Sequence, residues 1–159
     1  MLLIQENFYN RKDAKTQRFL SLHLSGTKIF NMTKEEYERL AREIFFACLD
    51  VHKLMGPGLL ESVYELCLLK ELALRNILAE SQIPIPLVYK GFELSKEYRI
   101  DVLVEKSIII ELKSVEHLLP IHEAQIISYL KLANKKMGFL VNFNVPMLKD
   151  GLRRFVNGY

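Results

Sequence analysis

The sequence predicts an α/β sandwich built on a mixed sheet, and three observations carry that reading. Two segments of helical period open the main body of the chain. Three extended segments follow, the last of them holding the isoleucine run Ile108-Ile109-Ile110, which reads as the buried centre of a sheet. One more helical segment then leads to a further apolar strand, so the order is helix, helix, three strands, helix, strand.

The elements can be justified in turn. Thr33-x-x-Glu36 is a capping box, and Leu40, Ile44, Ala47, Cys48, Val51 and Leu54 repeat at helical spacing from Lys34 to about Met55. Gly56-Pro57-Gly58 ends that helix. A second helix is expected from about Leu59 to Asn76, apolar nearly all round and therefore deeply packed. Gln82 to Tyr89 alternates like a strand, but Pro84 and Pro86 confine it to a sheet edge. Lys90-Gly91 makes a turn, Phe92 to Val104 continues as extended chain, and Glu105-Lys106-Ser107 turns into the central strand ending at Lys113. Pro120 opens a third helix to about Asn134. Met137 to Phe143 is the last strand, and Leu148 to Val156 is expected to close the chain as a short helix.

Composition narrows the class. The 159 residues suit one domain, and half of them are hydrophobic. No stretch approaches the ~18 apolar residues of a membrane helix, and the apolar start Met1-Leu2-Leu3-Ile4 is too short for a signal peptide, so a cytoplasmic protein without a membrane partner is expected. Cys48 and Cys67 form no Cys-x-x-Cys pair, which excludes a zinc knuckle or a four-cysteine iron–sulfur cluster and leaves reduced thiols in helices. The net charge of +3 sits entirely in residues 1–31, while the rest balances to zero, so bulk charge says nothing of a nucleic-acid partner. Residues 1–31 show no sustained period and read as a poorly ordered arm. The onset of helix grammar at Met32 suggests translation starting there, which N-terminal sequencing of the native protein would check. Residues 32–159 form the domain proper.

Chemistry gathers around the central strand. Successive strand residues alternate faces, so Glu111 and Lys113 point the same way. Asp101 stands among Ile100, Val102 and Val104, where a carboxylate is costly without a partner. Two acids and a lysine at one end of an apolar hairpin suit Mg²⁺ or Mn²⁺, which take oxygen ligands and one or two carboxylates beside water and phosphate. The bland alternative is a surface ion pair at a strand end. Glu61 lies one turn inside the second helix and shares a face with Tyr64; alone it would be an acid favouring the helix dipole. Gln125 and Tyr129 share a face of the third helix, ordinarily a polar stripe. His52 reads as a packed core histidine, and His117 and His122 as loop residues.

These residues carry a resemblance. Gly58-Leu59-Leu60-Glu61-Ser62-Val63-Tyr64 resembles the motif of the GxxExxY protein family, a branch of the PD-(D/E)XK nuclease superfamily, over about Lys34 to the C-terminus. The resemblance implies a restriction-endonuclease-like αβββαβ core with a mixed central sheet flanked by helices. It places the metal-binding acids at Asp101, Glu111 and Glu61, and the Glu-x-Lys lysine at Lys113. Gln125-Ile126-Ile127-Ser128-Tyr129 is similar to the Gln-x-x-x-Tyr motif of the RecB-like branch, implying DNA contact by Gln125 and Tyr129, with Tyr64 beside them. Ile100 stands where the superfamily name has proline. The implied function is a Mg²⁺- or Mn²⁺-dependent nuclease, DNA favoured, leaving a 5′-phosphate and a 3′-hydroxyl. The alternatives are a nuclease-fold module that binds nucleic acid or a protein without cutting, and a metal-free homodimeric scaffold.

Overall fold

The computed structural model describes residues 32–158; the expectations for residues 1–31 lie outside them. Helix α1 spans Lys34–Met55, with Glu35 and Glu36 in its first turn and Lys53 in its last, each charge matching the helix dipole. Its stripe Tyr37, Leu40, Ala41, Ile44, Ala47, Cys48 and Val51 is buried at three-and-four spacing, while Leu54 lies outside it, in solvent. Gly56, at φ 67°, closes the helix by donating its N–H to the His52 carbonyl at 2.9 Å.

Helix α2 spans Glu61–Leu74. The expectation of deep packing all round does not hold. Tyr64, Leu68 and Leu72 are buried, but Leu66 and Leu74 are exposed. One face of a helix can rest on a sheet, and α1 occupies only part of the rest. Arg75 fastens the two helices, donating to Glu71 of α2 at 2.9 Å and to Glu43 and Asp50 of α1 at 3.2 and 2.5 Å.

Strands β1 (Ala79–Tyr89), β2 (Phe92–Val104), β3 (Ile108–Lys113), β4 (Met137–Asn142) and β5 (Leu152–Val156) form one sheet in that order among the described residues. The β1–β2 hairpin turns on Lys90 and Gly91, both at positive φ. β1 is the edge strand that its prolines require. β3 is the centre, and its three isoleucines are fully buried. Helix α3 (Pro120–Leu132) crosses from β3 to β4, so these two strands are parallel and every other pair is antiparallel. His122 lies in the first turn of α3, not in a loop, where its Nδ1 accepts the Leu119 N–H at 3.2 Å.

The end of the chain corrects one expectation. Only Leu148–Gly151 (α4) is helical, and Leu152–Val156 is β5, paired to the free edge of β4. β4 is buried throughout and needs a hydrogen-bonding neighbour on that side. Strand alternation also serves the two arginines: Arg153 reaches Glu123 of α3, and Arg154 reaches Glu38 of α1. They point to opposite faces of the sheet, which places α3 on one face and α1 on the other. Ile109, Leu140, Ile126, Tyr129 and Leu130 form the core on the α3 side. His52 is the packed residue expected, stacked on Phe143, with its Nε2 2.8 Å from the Val145 carbonyl oxygen. Among the described residues no helix is long and apolar enough to cross a membrane.

Two glycines mark close approaches. A Cβ at Gly138 would lie 3.0 Å from the Ile126 side chain and 3.2 Å from the Ile109 carbonyl oxygen, and one at Gly151 would overlap the Asn142 carbonyl oxygen. Gly151→Ala should therefore cost about 1–3 kcal/mol in urea unfolding. Gly138→Ala should cost less, because the end of Ile126 can turn aside and the Ile109 carbonyl need yield only slightly.

Candidate active site

The site forms where β2 leaves β3. The two strands pair at Val104↔Ile108, Leu103↔Ile109 and Val102↔Ile110, and no further. Ile100 and Leu103 pack into the same core cluster, although a regular strand would put residues three apart on opposite faces. β2 therefore changes phase between them. On the neighbouring strand Gln82, between the paired Ser81 and Ile83, sits at φ 55°. At this break the Asp101 carboxylate accepts the Leu112 N–H at 2.8 Å, replacing the strand that has departed. Burial, the dominant influence, pushes the Asp101 carboxyl above its ordinary pKa despite that bond and the nearby Lys113 charge.

Glu111 is almost wholly buried, at 1 % exposure, on the face covered by α3. Its Oε1 accepts from Lys113 Nζ at 2.7 Å, and its Oε2 is buried without a hydrogen-bond partner. Desolvation, reinforced by the charge of Asp101, raises its pKa to about 7. Burial alone would lower the Lys113 ammonium. The hydrogen bond and charge of Glu111, with Asp101 and Glu61, outweigh it and hold Lys113 above the ordinary lysine value. Lys113 is thus a fixed cation, and its bond to a partner two residues away confirms that the pair shares a face.

Glu61 stands at the exposed start of α2, where its Oε1 accepts the Ser114 N–H at 3.1 Å. Its charge acts on Asp101, Glu111 and Lys113. Ser114 Oγ donates to the Leu59 carbonyl at 2.5 Å, so the first turn of α2 is tied to the end of β3, beside an open cleft lined by Leu59 to Ser62 and Ser114. Tyr64, expected beside the DNA-contacting pair, faces the core instead of an open surface. It is fully buried, stacked on Phe143 at 4.4 Å, and its hydroxyl donates to the Gly56 carbonyl at 2.6 Å and accepts the Leu59 N–H at 3.1 Å. The tyrosine fixes the loop that delivers Glu61.

On α3, Gln125 Nε2 donates to the Tyr129 hydroxyl at 2.9 Å. Burial raises the Tyr129 pKa, the Gln125 bond opposes this, and the charges of Glu111 and Asp101 add to the rise. That coupling brings the pair to the acids. Tyr129 is only 4 % exposed, so Gln125 is the member of the pair that reaches outward.

Two positioning residues escaped the sequence reading. Ser114 is one. Asn142 is the other: it is paired in register with Lys113, and it accepts the Val115 N–H at 3.1 Å while donating to the Val115 carbonyl at 2.8 Å. Its signal was available, a polar residue closing an apolar strand much as Glu111 and Lys113 close β3.

A profile of the PD-(D/E)XK nuclease superfamily matches residues 38–155, most of the chain. The chain belongs to the PD-(D/E)XK nuclease superfamily. A search of curated proteins gives no match. Among solved structures, the crystal structure of SSO0001 is similar at 23 % identity and a TM-score of 0.43, covering 96 % of this chain and 75 % of that one. So loose a likeness carries no argument.

Superfamily members characteristically work with divalent cations, and the donor set fits one. It is all oxygen, it carries a surplus of negative charge, and Glu111 Oε2 lacks the partner that a buried carboxylate oxygen requires. Among the described residues no three or more His, Cys, Asp or Glu side chains are gathered as a ligand set.

The raised Glu111 pKa has a sign in stability. Between its ordinary value of 4.5 and about 7 the folded protein holds a proton that the unfolded chain has released. Stability in chelator should therefore fall as pH rises through that window and level off above it, by on the order of 1–3 kcal/mol. Lys113 stays charged throughout and adds no slope. Urea titrations at pH 5 and pH 8 should show the fall in wild type and a flatter dependence in Glu111→Gln.

Proposed function

We propose that this member of the superfamily is a Mg²⁺- or Mn²⁺-dependent nuclease that hydrolyses phosphodiester bonds in DNA, and that it falls in the GxxExxY group near the RecB-like branch. The observation that carries the reading is Glu111: a buried carboxylate with one oxygen held by a lysine and the other by nothing. A module that only binds has no use for such a group, which is costly to keep.

In this reading Asp101 and Glu111 would hold the metal, with Glu61 as a further ligand, direct or through water. When bound, the ion supplies Lewis acidity and can lower the pKa of a coordinated water from ~15.7 toward ~7. The chain's own residues do the rest. Lys113, kept protonated by its carboxylate neighbours, orients the attacking water and offsets the negative charge that grows on the phosphoryl oxygens. A lysine shifted upward is a poor base, which favours positioning and charge stabilisation over proton abstraction. Gln125 contacts the strand and is held by Tyr129 from behind. The Tyr64 clamp and the Ser114 bonds fix Glu61 relative to β3. The exposed Phe46, Leu66 and Leu74 favour a second, compatible reading, a homodimer, which sedimentation would test.

Cleavage of supercoiled and single-stranded DNA with Mg²⁺ or Mn²⁺, and with chelator as blank, tests the assignment. Asp101→Ala should abolish cleavage. Lys113→Ala should lower turnover by about 10²-fold or more while leaving DNA affinity nearly unchanged; equal losses in both would remove its assigned role. Glu61→Gln keeps an acceptor for the Ser114 N–H but drops the charge. Loss of metal affinity in that variant, measured by calorimetry, would support its place near the ion, and unchanged affinity would leave it a positioning residue.

A further inference from the structure

Most aromatic side chains around the acids are buried: Tyr64, Phe143 and Tyr129 are each 4 % exposed or less. Tyr98 is 47 % exposed. It lies on β2 three residues before Asp101, about 10 Å along the strand at the usual rise. Its partner in register is Ile85, a member of the core cluster that contains Tyr129, so Tyr98 belongs to the α3 face of the sheet. Its ring rests on Tyr129, with centroids 5.5 Å apart and planes at 48°. One side of the ring is therefore braced by a residue coupled to Glu111 and Asp101, and much of its surface is open to solvent.

Part of the basic surface is engaged inside the domain. Arg153 and Arg154 are paired to Glu123 and Glu38, and Lys135 donates to the Lys106 carbonyl at 2.7 Å. Tracking of a duplex backbone depends on clustered cations with phosphates to neutralise. Recognition by a braced aromatic ring depends instead on a base face, which is available only when the base is unpaired or turned out of the duplex.

We propose that Tyr98 is the stacking platform for an unpaired base beside the scissile phosphate, so that the site is selective for single-stranded DNA over duplex. The proposal rests on the nuclease reading for its geometry, but it can be separated from it because stacking is measurable without cleavage. Tyr129 holds the ring from beneath, Gln125 holds Tyr129, and the strand enters past Tyr98 before reaching Asp101 and Glu111.

The test compares wild type, Tyr98→Ala and Tyr98→Phe on a fluorescent single-stranded oligonucleotide and on the blunt duplex of the same sequence. Affinity is read by anisotropy in chelator and cleavage in Mn²⁺, with a strand of abasic tetrahydrofuran residues as a phosphodiester substrate that has no base to stack. Tyr98→Ala should weaken single-strand affinity and raise KM roughly tenfold, with no such loss on the abasic strand or the duplex. Tyr98→Phe should behave as wild type. If no variant cleaves but the single-strand affinity falls as stated, the nuclease reading fails and the stacking platform stands. Equal affinity in wild type and Tyr98→Ala, an equal loss on duplex, or an equal loss on the abasic strand would overturn it, the last by showing that the ring only supports Tyr129. A shift in sedimentation on Tyr98→Ala with unchanged DNA affinity would overturn it too, by assigning the ring to contact with a second copy.

Discussion

Everything near the site depends on one costly arrangement: a glutamate inside the middle strand of a sheet. Glu111 sits in a run of fully buried isoleucines, where an unpaired charge would be severely disfavoured. Lys113 compensates one oxygen, and the remaining imbalance appears as a carboxyl that titrates near neutrality. The strand can hold it because β2 departs one residue earlier, opening a gap at which Asp101 takes over the backbone N–H of Leu112. The break in the ladder and the pair of acids are therefore one feature. An unbroken β2 would occupy the Leu112 N–H and leave no gap for the Asp101 carboxylate.

The rest of the site is a set of ties that converge on the end of β3. Asn142 binds the chain just beyond Lys113 from the β4 side, and the Phe143 N–H reaches the Lys113 carbonyl at 2.9 Å. Glu61 and the Leu59 carbonyl bind Ser114 from the α2 side. Tyr64 anchors the loop before α2 while stacking on Phe143, so the two sets of ties meet in a single aromatic contact. The helix motif thus contains one residue, Glu61, whose charge reaches the acids and one, Tyr64, that faces the core. Gly151 belongs to the same construction, since only a missing side chain lets α4 lie against Asn142.

Charge is used locally and not as a field. Arg75, Arg153 and Arg154 each join two elements through ion pairs that are at least partly exposed and individually worth little; Arg75 sets α2 against α1, while Arg153 and Arg154 set α3 and α1 against the sheet. Having been used inside the domain, these cations are not a ready surface for a phosphate backbone. The exposed ring of Tyr98 and the outward reach of Gln125 are what the α3 face presents instead.

Local sequence was enough for the element order through β4, the edge position of the strand with two prolines, the buried centre at Ile108 to Ile110, and the acids and lysine at its end. Those features follow from local periodicity, turn chemistry and the incongruity of charge within an apolar run, all of which are written in neighbouring residues. Tertiary structure alone decided that Leu152–Val156 is a strand, because the deciding factor is the open edge of β4, which no local pattern contains. It alone decided that Tyr64 faces inward, since three-residue spacing puts Glu61 and Tyr64 on one side of α2 without saying what that side meets. The roles of Asn142 and Ser114, and the overestimated burial of α2, have the same origin: each depends on contacts between residues far apart in the chain, which only the packed sheet and helices bring together.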